Sequence, residues 1–243
     1  MRAVTILLSL ILTSSALAGE VVIPAIYRGD GANGSVWRTE LAVANVTPSP
    51  AFPARADATL YREGLEPIAV PLLLSQYENL LIDDVVFSWF GVENGGGLVR
   101  ITWDDANTRI TARARIYNVT AAGQFGQAAP GLALPELQQD NFLIGVSGTR
   151  GNRTNVGISN PHATPVQAWI ELLDTAGNTH GEYSVLIPAR TWRQFNDIFA
   201  LFPHAGPQHP AVIRVKAIEN TVYAYASVVR ADTGDATFIT PSR

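Results

Sequence analysis

The chain has 243 residues, a formal net charge of −4, no cysteine and a single lysine, Lys216. The lack of cysteine excludes disulfide bonds and thiolate metal sites. The lack of basic clusters argues against a nucleic-acid-binding protein and against a basic membrane-surface helix. The length is sufficient for one or two domains of ordinary size.

The first 18 residues have the pattern of a secretory signal. An apolar run from Val4 to Leu12 is followed by Ala-Leu-Ala at 16–18, a small-x-small pattern suited to signal peptidase. The run is shorter than the roughly 20 residues that a membrane-spanning helix needs. We therefore predict a cleaved signal peptide over 1–18, a mature protein without a membrane span, and a location in the bacterial periplasm or outside the cell.

The rest of the chain contains an internal repeat. The stretch WRTELAVAN at 37–45 matches NRTNVGISN at 152–160, and further matches follow in the same order. The repeated motif residues are Arg38, Thr39, Asn45 and Asp84 in the first copy and Arg153, Thr154, Asn160 and Asp197 in the second. Order preserved over most of the chain predicts a duplication. We place repeat 1 at 19–130, a linker at 131–140 and repeat 2 at 141–243.

Each copy has the alternation typical of strands. Apolar residues occupy every second position at 110–116 and again at 166–172, and turn-forming Gly, Asn, Asp and Pro residues separate such runs. Alternation with one wet face indicates antiparallel sheet, and several short strands per copy favour a sandwich. We predict an all-β protein of two tandem immunoglobulin-like β-sandwiches. The best helical segments are the turns after Asp84 and Asp197, where each carboxylate is expected to cap the helical N–H groups.

These motifs resemble a family of uncharacterised secreted bacterial proteins built from tandem immunoglobulin-like repeats. The resemblance is carried by Arg-Thr, the alternating apolar residues and Asn, then by the Asp before an apolar turn and by GQFGQ at 123–127. The second copy departs from this pattern, since it has GDATF at 234–238. The resemblance implies a fold and an export address, and it implies no activity.

The Arg-Thr pair has a structural interpretation. We predict that Arg38 forms an ion pair with Asp84 and that Arg153 forms one with Asp197, with nitrogen and oxygen atoms within about 4 Å. Function is then expected where the two copies differ. The differing segments are 94–97, 121–127 and 203–210.

Catalytic and metal-binding patterns are scarce. We find no nucleophile elbow, phosphate-binding loop or EF-hand spacing. Neighbouring carboxylates at 83–84 and 104–105 fall on opposite faces if their segments are strands, which does not favour a glycosidase pair. The turn at Asp104 and Asp105 is a weak candidate for calcium, and His204 and His209 are a weak candidate pair in a Pro- and Gly-rich loop. No cofactor and no catalytic residue is predicted.

Aromatic side chains give a candidate contact surface. Trp169, Tyr223 and Tyr225 alternate with core positions of their strands, so they are expected on the wetter face. There they would form a ligand platform or be covered by the other domain.

These observations favour an exported, non-enzymatic structural or interaction module, with adhesion or binding as its role. Its partner would be a protein or a surface polymer. Two alternatives stay open: a periplasmic chaperone-like two-domain protein and a carbohydrate-binding module.

Overall fold

The structure is a computed structural model, and it describes residues 19–31, 34–48, 53–120, 123–149, 151–204, 211–230 and 234–242. The predicted signal peptide at 1–18 lies outside the described residues. The described chain is almost entirely strand and turn. The predicted all-β sandwich class is therefore confirmed.

Sixteen strands, one short α-helix and two 3₁₀ turns are described. The 3₁₀ turns are Leu134–Glu136 and Ile198–Leu201, and the other bounds are as follows. The first eight strands are β1 (Gly19–Asp30), β2 (Val36–Asn45), β3 (Ala54–Tyr61), β4 (Ile68–Leu74), β5 (Asn79–Ile82), β6 (Gly95–Trp103), β7 (Ile110–Thr120) and β8 (Gly123–Pro130), with helix α1 (Val85–Ser88) between β5 and β6. The other eight are β9 (Asp140–Val146), β10 (Asn152–Asn160), β11 (Val166–Leu173), β12 (Thr179–Ile187), β13 (Thr191–Phe195), β14 (Ala211–Ala217), β15 (Tyr223–Arg230) and β16 (Ala236–Ile239). Residues 19–130 are called the first half below, and residues 141–242 the second half.

The two halves have the same strand order. In the second half, one sheet has the order β12-β11-β14-β9 and the other β13-β10-β15-β16. In the first half, β4-β3-β6-β1 and β5-β2-β7-β8 are neighbours in the same way. One difference is that β1 belongs to both sheets: its register with β6 shifts between Ile23 and Ile26, and Gly29 and Asp30 then pair with β2.

Apolar alternation places a separate core in each half. In β2, Leu41 and Val43 are fully buried, and in β10 Val156 and Ile158 are fully buried. The four alternating residues of 166–172 are buried as predicted, and so are those of 110–116. The side chains of each half form their own hydrophobic cluster.

A third apolar cluster joins the halves. It contains Ala25 and Ile116 from the first half, Tyr223 and Tyr225 from the second, and Leu132 and Leu137 from the connecting segment. That segment, the predicted linker 131–140, is fastened at both ends. Leu132 exchanges backbone hydrogen bonds with Val22, and Gln138 exchanges them with Val222.

This contact changes the expected exposure of β10 and β15. Every residue of β10 from Thr154 onwards is buried, on both faces of the strand. The Ser159 hydroxyl donates to the Pro24 carbonyl of the first half. The outer face of this sheet is therefore a contact between halves, whereas an isolated sandwich would leave it wet.

Short helical turns follow β5 and β13. Helix α1 follows Asp84, and a 3₁₀ turn, Ile198–Leu201, follows Asp197. Both aspartates have left-handed backbone, with φ of 44° and 52°. Neither carboxylate forms a capping hydrogen bond, so the predicted capping role is wrong; a left-handed residue directs its side chain away from the N–H groups of the turn. Among the described residues, no helix is long and apolar enough to cross a bilayer.

Candidate functional site

The repeated threonines fasten the start of the second strand of each half to the first strand. Thr39 Oγ1 donates to the Tyr27 carbonyl over 2.7 Å and accepts from the Tyr27 amide over 2.8 Å. Thr154 Oγ1 makes the same pair of bonds with Ser147, over 2.8 and 3.4 Å. Both threonines are fully buried, and each hydroxyl gives a partner to one backbone carbonyl and one backbone N–H group, of Tyr27 or of Ser147.

The repeated asparagines fasten the other end of the same strands. Asn45 Nδ2 donates to the carbonyls of Leu74 and Ser75, and its Oδ1 accepts from the Thr47 amide. Asn160 does the same in the second half, with bonds to the carbonyls of Thr164, Ile187 and Pro188 and from the amide of His162. The Thr and Asn residues of the repeated phrase are therefore structural.

The first arginine forms the predicted ion pair. Arg38 Nε lies 3.1 Å from Asp84 Oδ2, and Arg28 Nε lies 2.9 Å from the same oxygen. All three side chains are about one-quarter exposed or less. One carboxylate thus serves as the shared counter-ion of two guanidinium groups at the point where β1, β2 and α1 meet.

The second arginine does not form the predicted pair. Arg153 makes no ion pair or hydrogen bond with any residue that the structure describes, and its buried Nε has no acceptor. The prediction of an Arg153–Asp197 ion pair is therefore wrong. The side chain of Asp197 is exposed, and its backbone amide donates to Asn155 Oδ1 over 3.2 Å. Asn155 occupies the place that Glu40 has after the Arg-Thr pair of the first half.

Arg153 instead lines a cleft of about 520 Å³ between the two halves. This volume lies within the range of roughly 300–1,000 Å³ that small-molecule sites occupy. Residues of both halves line it: Tyr27, Asp30, Gly31, Trp37, Ile116 and Gln127 from the first, and Arg153, Asn155, Trp192, Gln194, Asn196 and Ser227 from the second. We call this space the inter-half cleft.

A directed relay of hydrogen bonds fixes one wall of the inter-half cleft. Trp192 Nε1 donates to the Tyr225 hydroxyl over 2.9 Å, and that hydroxyl donates to Gln194 Oε1 over 3.3 Å. Gln194 Nε2 then donates to Asn196 Oδ1 over 2.8 Å. Because an indole N–H is only a donor, it sets the direction of every later bond. The relay ends with the Asn196 amide nitrogen, which has no acceptor among the described residues.

Two further side-chain amides, of Asn155 and Gln127, also accept through the oxygen and leave the nitrogen as a donor. Asn155 Oδ1 is occupied by the backbone N–H of Asp197, and Gln127 Oε1 accepts from the Ser227 hydroxyl over 2.9 Å. Their amide nitrogens have no acceptor among the described residues. The carbonyl oxygens of the four described side-chain amides of the cleft therefore each accept a bond inside the protein, and three of their NH₂ groups have no acceptor among the described residues.

Charge in the inter-half cleft is sparse and separated. Among the described lining residues, Arg153 carries the one guanidinium and Asp30 the one carboxylate, and the two form no ion pair with each other. Two indole rings, Trp37 and Trp192, lie among the donors and are partly buried. Donors, one cation and aromatic rings can bind a small ligand that is rich in oxygen acceptors and has an apolar face.

The predicted aromatic surface is not assembled. Trp169 is 36% exposed on the outer face of β11, whereas Tyr223 and Tyr225 are 4% and 1% exposed. Burial, as the main cause, raises the pKa of both tyrosine hydroxyls. The Tyr225 ring stacks on Phe238 with centroids 4.7 Å apart. The two tyrosines pack between the halves. This agrees with the alternative expectation, in which the other domain covers them.

The weak metal candidates gain no ligands. Asp105 accepts hydrogen bonds from Asn107 and Thr108 within its own turn. The bond from the backbone N–H of Asn107 is the main cause that lowers the pKa of Asp105. Asp104 is exposed, and His209 lies outside the described residues. Within the described ranges, no three His, Cys, Asp or Glu side chains are grouped closely enough to share a metal ion.

Sequence reasoning reached only part of this site. Gln127 belongs to 121–127, one of the segments singled out because the copies differ there, and Arg153 and Trp37 belong to the repeated phrase. Asn155, Gln194 and Asn196 were missed. The available signal was that Asn155 and Asn196 replace Glu40 and Asp83 of the first copy, which exchanges a carboxylate for an amide at both positions.

Comparisons with known proteins place the chain in no family. No family model matches it, and no curated protein matches it. Among solved structures, it is similar to a lectin from Pleurotus ostreatus in complex with GalNAc, at 14% identity and a TM-score of 0.17, over 93% of this chain and 84% of the lectin. It is also similar to a structure of infectious bursal disease virus Gx strain, at 10% identity and a TM-score of 0.16, over 92% of this chain and 76% of that chain.

Proposed function

We propose that this protein is an exported, non-enzymatic binding module of two tandem sandwiches, which holds a saccharide unit of a surface polymer in its inter-half cleft. The observation that carries the proposal is the polarity of the cleft. The amide oxygens of Gln127, Asn155, Gln194 and Asn196 each accept a hydrogen bond within the protein. Three of the amide nitrogens have no acceptor among the described residues, and they lie beside two indole rings.

This set of side chains suits recognition. Amide groups do not titrate near neutral pH, so they hold a ligand's oxygens without exchanging protons with it. Saccharides present many hydroxyl and ring oxygens as acceptors on their edges and C–H groups on their faces. The edges match the free NH₂ groups, and the faces match the indole rings of Trp37 and Trp192.

The position of the cleft also supports binding. It forms only where the two halves meet, and Tyr225 supports it from beneath through its bonds to Trp192 and Gln194. Most of the lining residues lie on strands, and the buried Tyr225 holds Trp192 and Gln194 in place before a ligand arrives. Such preorganisation lowers the entropic cost of binding.

A glycan array of bacterial surface polysaccharides, followed by titration with tryptophan fluorescence as the readout, tests the proposal. We expect a saccharide to change the emission of Trp37 and Trp192 and to saturate. Asn196→Ala removes the last donor of the relay and should weaken binding roughly three- to tenfold, the net value of one hydrogen bond. Asn79→Ala, an exposed asparagine outside the cleft, is the matched control and should leave affinity unchanged.

No saturable binding of any saccharide at millimolar concentration would contradict the proposal. Equal affinities of the Asn196→Ala variant, the control and the original protein would place the ligand elsewhere.

A further inference from the structure

We infer that the saccharide unit held in the inter-half cleft is acidic, and that Arg153 pairs with its carboxylate. This inference rests on the proposed function, because it names the ligand class of the same cleft. The juxtaposition that carries it is a guanidinium, without an ion-pair partner in the part of the chain that the structure describes, at the wall of a donor-rich cavity. Arg153 lines the cleft, its Nε is buried, and it has no acceptor among the described residues.

The two halves provide an internal comparison. Arg38 stands at the equivalent position of β2, and its Nε lies 3.1 Å from Asp84. Arg153 stands at the same position of β10, and the equivalent Asp197 has an exposed side chain that does not reach it. One half thus neutralises its arginine internally, and the other leaves the arginine open toward the cleft.

An unsatisfied buried N–H is costly, and the cost is larger when the group is charged. A carboxylate removes that cost, because its two oxygens accept two parallel N–H bonds from one guanidinium. The free amide nitrogen of Asn155, two residues along the same strand and therefore on the same face, adds a neutral donor beside the cation. Arg153 and Asn155 together form a carboxylate-binding edge.

Asp30 sets the orientation of the ligand. It is the carboxylate that lines the cleft, it forms no ion pair with Arg153, and it repels a second carboxylate. The ligand's acid group is therefore directed toward Arg153, and its hydroxyl groups donate to Asp30. A sugar acid carries both kinds of group on one ring, and this supports a hexuronate unit.

Titration of the full chain with three probes tests the inference: an oligogalacturonate, its methyl ester, and the neutral galactose oligomer of the same length. We expect the acid to bind roughly 10- to 100-fold more tightly than the ester, as charge-assisted bonds are worth more than neutral ones. Arg153→Gln should remove that preference, because it weakens binding of the acid far more than binding of the ester. Arg153→Lys should restore it in part, because lysine keeps the charge and lacks the planar fork.

Arg55→Gln is the matched control, since it removes the charge of an exposed arginine in β3 and should leave the preference intact. Folding is checked by urea denaturation. Arg153→Gln should be as stable as the original protein or more stable, because it removes a charge that has no partner among the described residues. A preference that persists in Arg153→Gln overturns the inference.

The outcomes separate this inference from the proposed function. Equal binding of the acid, the ester and the neutral oligomer overturns the acidic ligand and leaves saccharide binding standing. Binding of none of the three, nor of any other saccharide, overturns both. Competition by sodium sulfate as strong as that by free galacturonate assigns Arg153 to anions in general and overturns the sugar-acid specificity.

Discussion

Replacing Asn160 by alanine tests how strongly the repeated phrase stabilises the fold. The side chain is fully buried, and its amide serves four backbone groups: the carbonyls of Thr164, Ile187 and Pro188 and the N–H of His162. A buried polar group that loses its partner costs about 1–3 kcal/mol. The carbonyls have a second lone pair and the turn lies near water, so the four costs do not add fully. We expect a loss of about 2–4 kcal/mol.

The assay is thermal and urea unfolding followed by circular dichroism. For a chain of this size, 1 kcal/mol corresponds to about 2–4 °C, so the midpoint should fall by roughly 5–15 °C. Asn79→Ala, an exposed asparagine in β5, should stay within about 0.5 kcal/mol of the original protein. If Asn160→Ala loses no more than this control, the reasoning that the asparagine fastens two strand ends is refuted.

Three further outcomes follow from the charged and titrating groups. Asp84→Asn should cost about 1 kcal/mol in urea unfolding because two arginines lose their shared counter-ion, whereas Asp197→Asn, without such a pair among the described residues, should be neutral. Burial and a hydrogen bond to Asp83 raise the pKa of Tyr117 to about 12 from 10. The folded protein then keeps a proton that the unfolded chain releases, so stability should fall between pH 10 and 12, and Tyr117→Phe should reduce that fall in urea unfolding measured across this range. Arg193→Gln breaks an exposed ion pair and should change the unfolding free energy by less than about 0.5 kcal/mol, with the smallest effect at high salt.

The sandwich class follows from local patterns in the sequence. The strands at 110–116 and 166–172 were predicted from alternating apolar residues, whose side chains are buried on one face of the sheet. This alternation is visible within a few consecutive residues. The same holds for the turn-forming residues between strands. The left-handed backbone of Asp84 and Asp197 was not predicted, because an N-cap and a left-handed turn residue are both favourable roles for aspartate.

The inter-half cleft could not be predicted in this way. Its walls come from β1, β2, β7 and β8 of the first half and from β10, β13 and β15 of the second, which meet only after the outer face of β10 packs against the first half. The period-two pattern of β15 gives Tyr225 an outward direction correctly, yet it does not show that another surface covers that direction. The exposure of a side chain depends on long-range packing, and the pattern within one strand does not show which other strand covers it.

Divergence between equivalent positions is the stronger guide to the site. Arg38 and Arg153 begin the same phrase, and the residues that follow place their threonines and asparagines in the same hydrogen bonds. The fold therefore requires Thr and Asn at these positions and leaves the arginine free to change partners. In the first half the partner is Asp84, within the chain. In the second half, the exchange of Glu40 for Asn155 adds an amide donor beside Arg153, and the exposed Asp197 leaves that guanidinium open to the inter-half cleft. One strand thus carries the same structural contacts twice, and only its second copy directs a cation and an amide donor toward the inter-half cleft, where we propose that an acidic ligand binds to both.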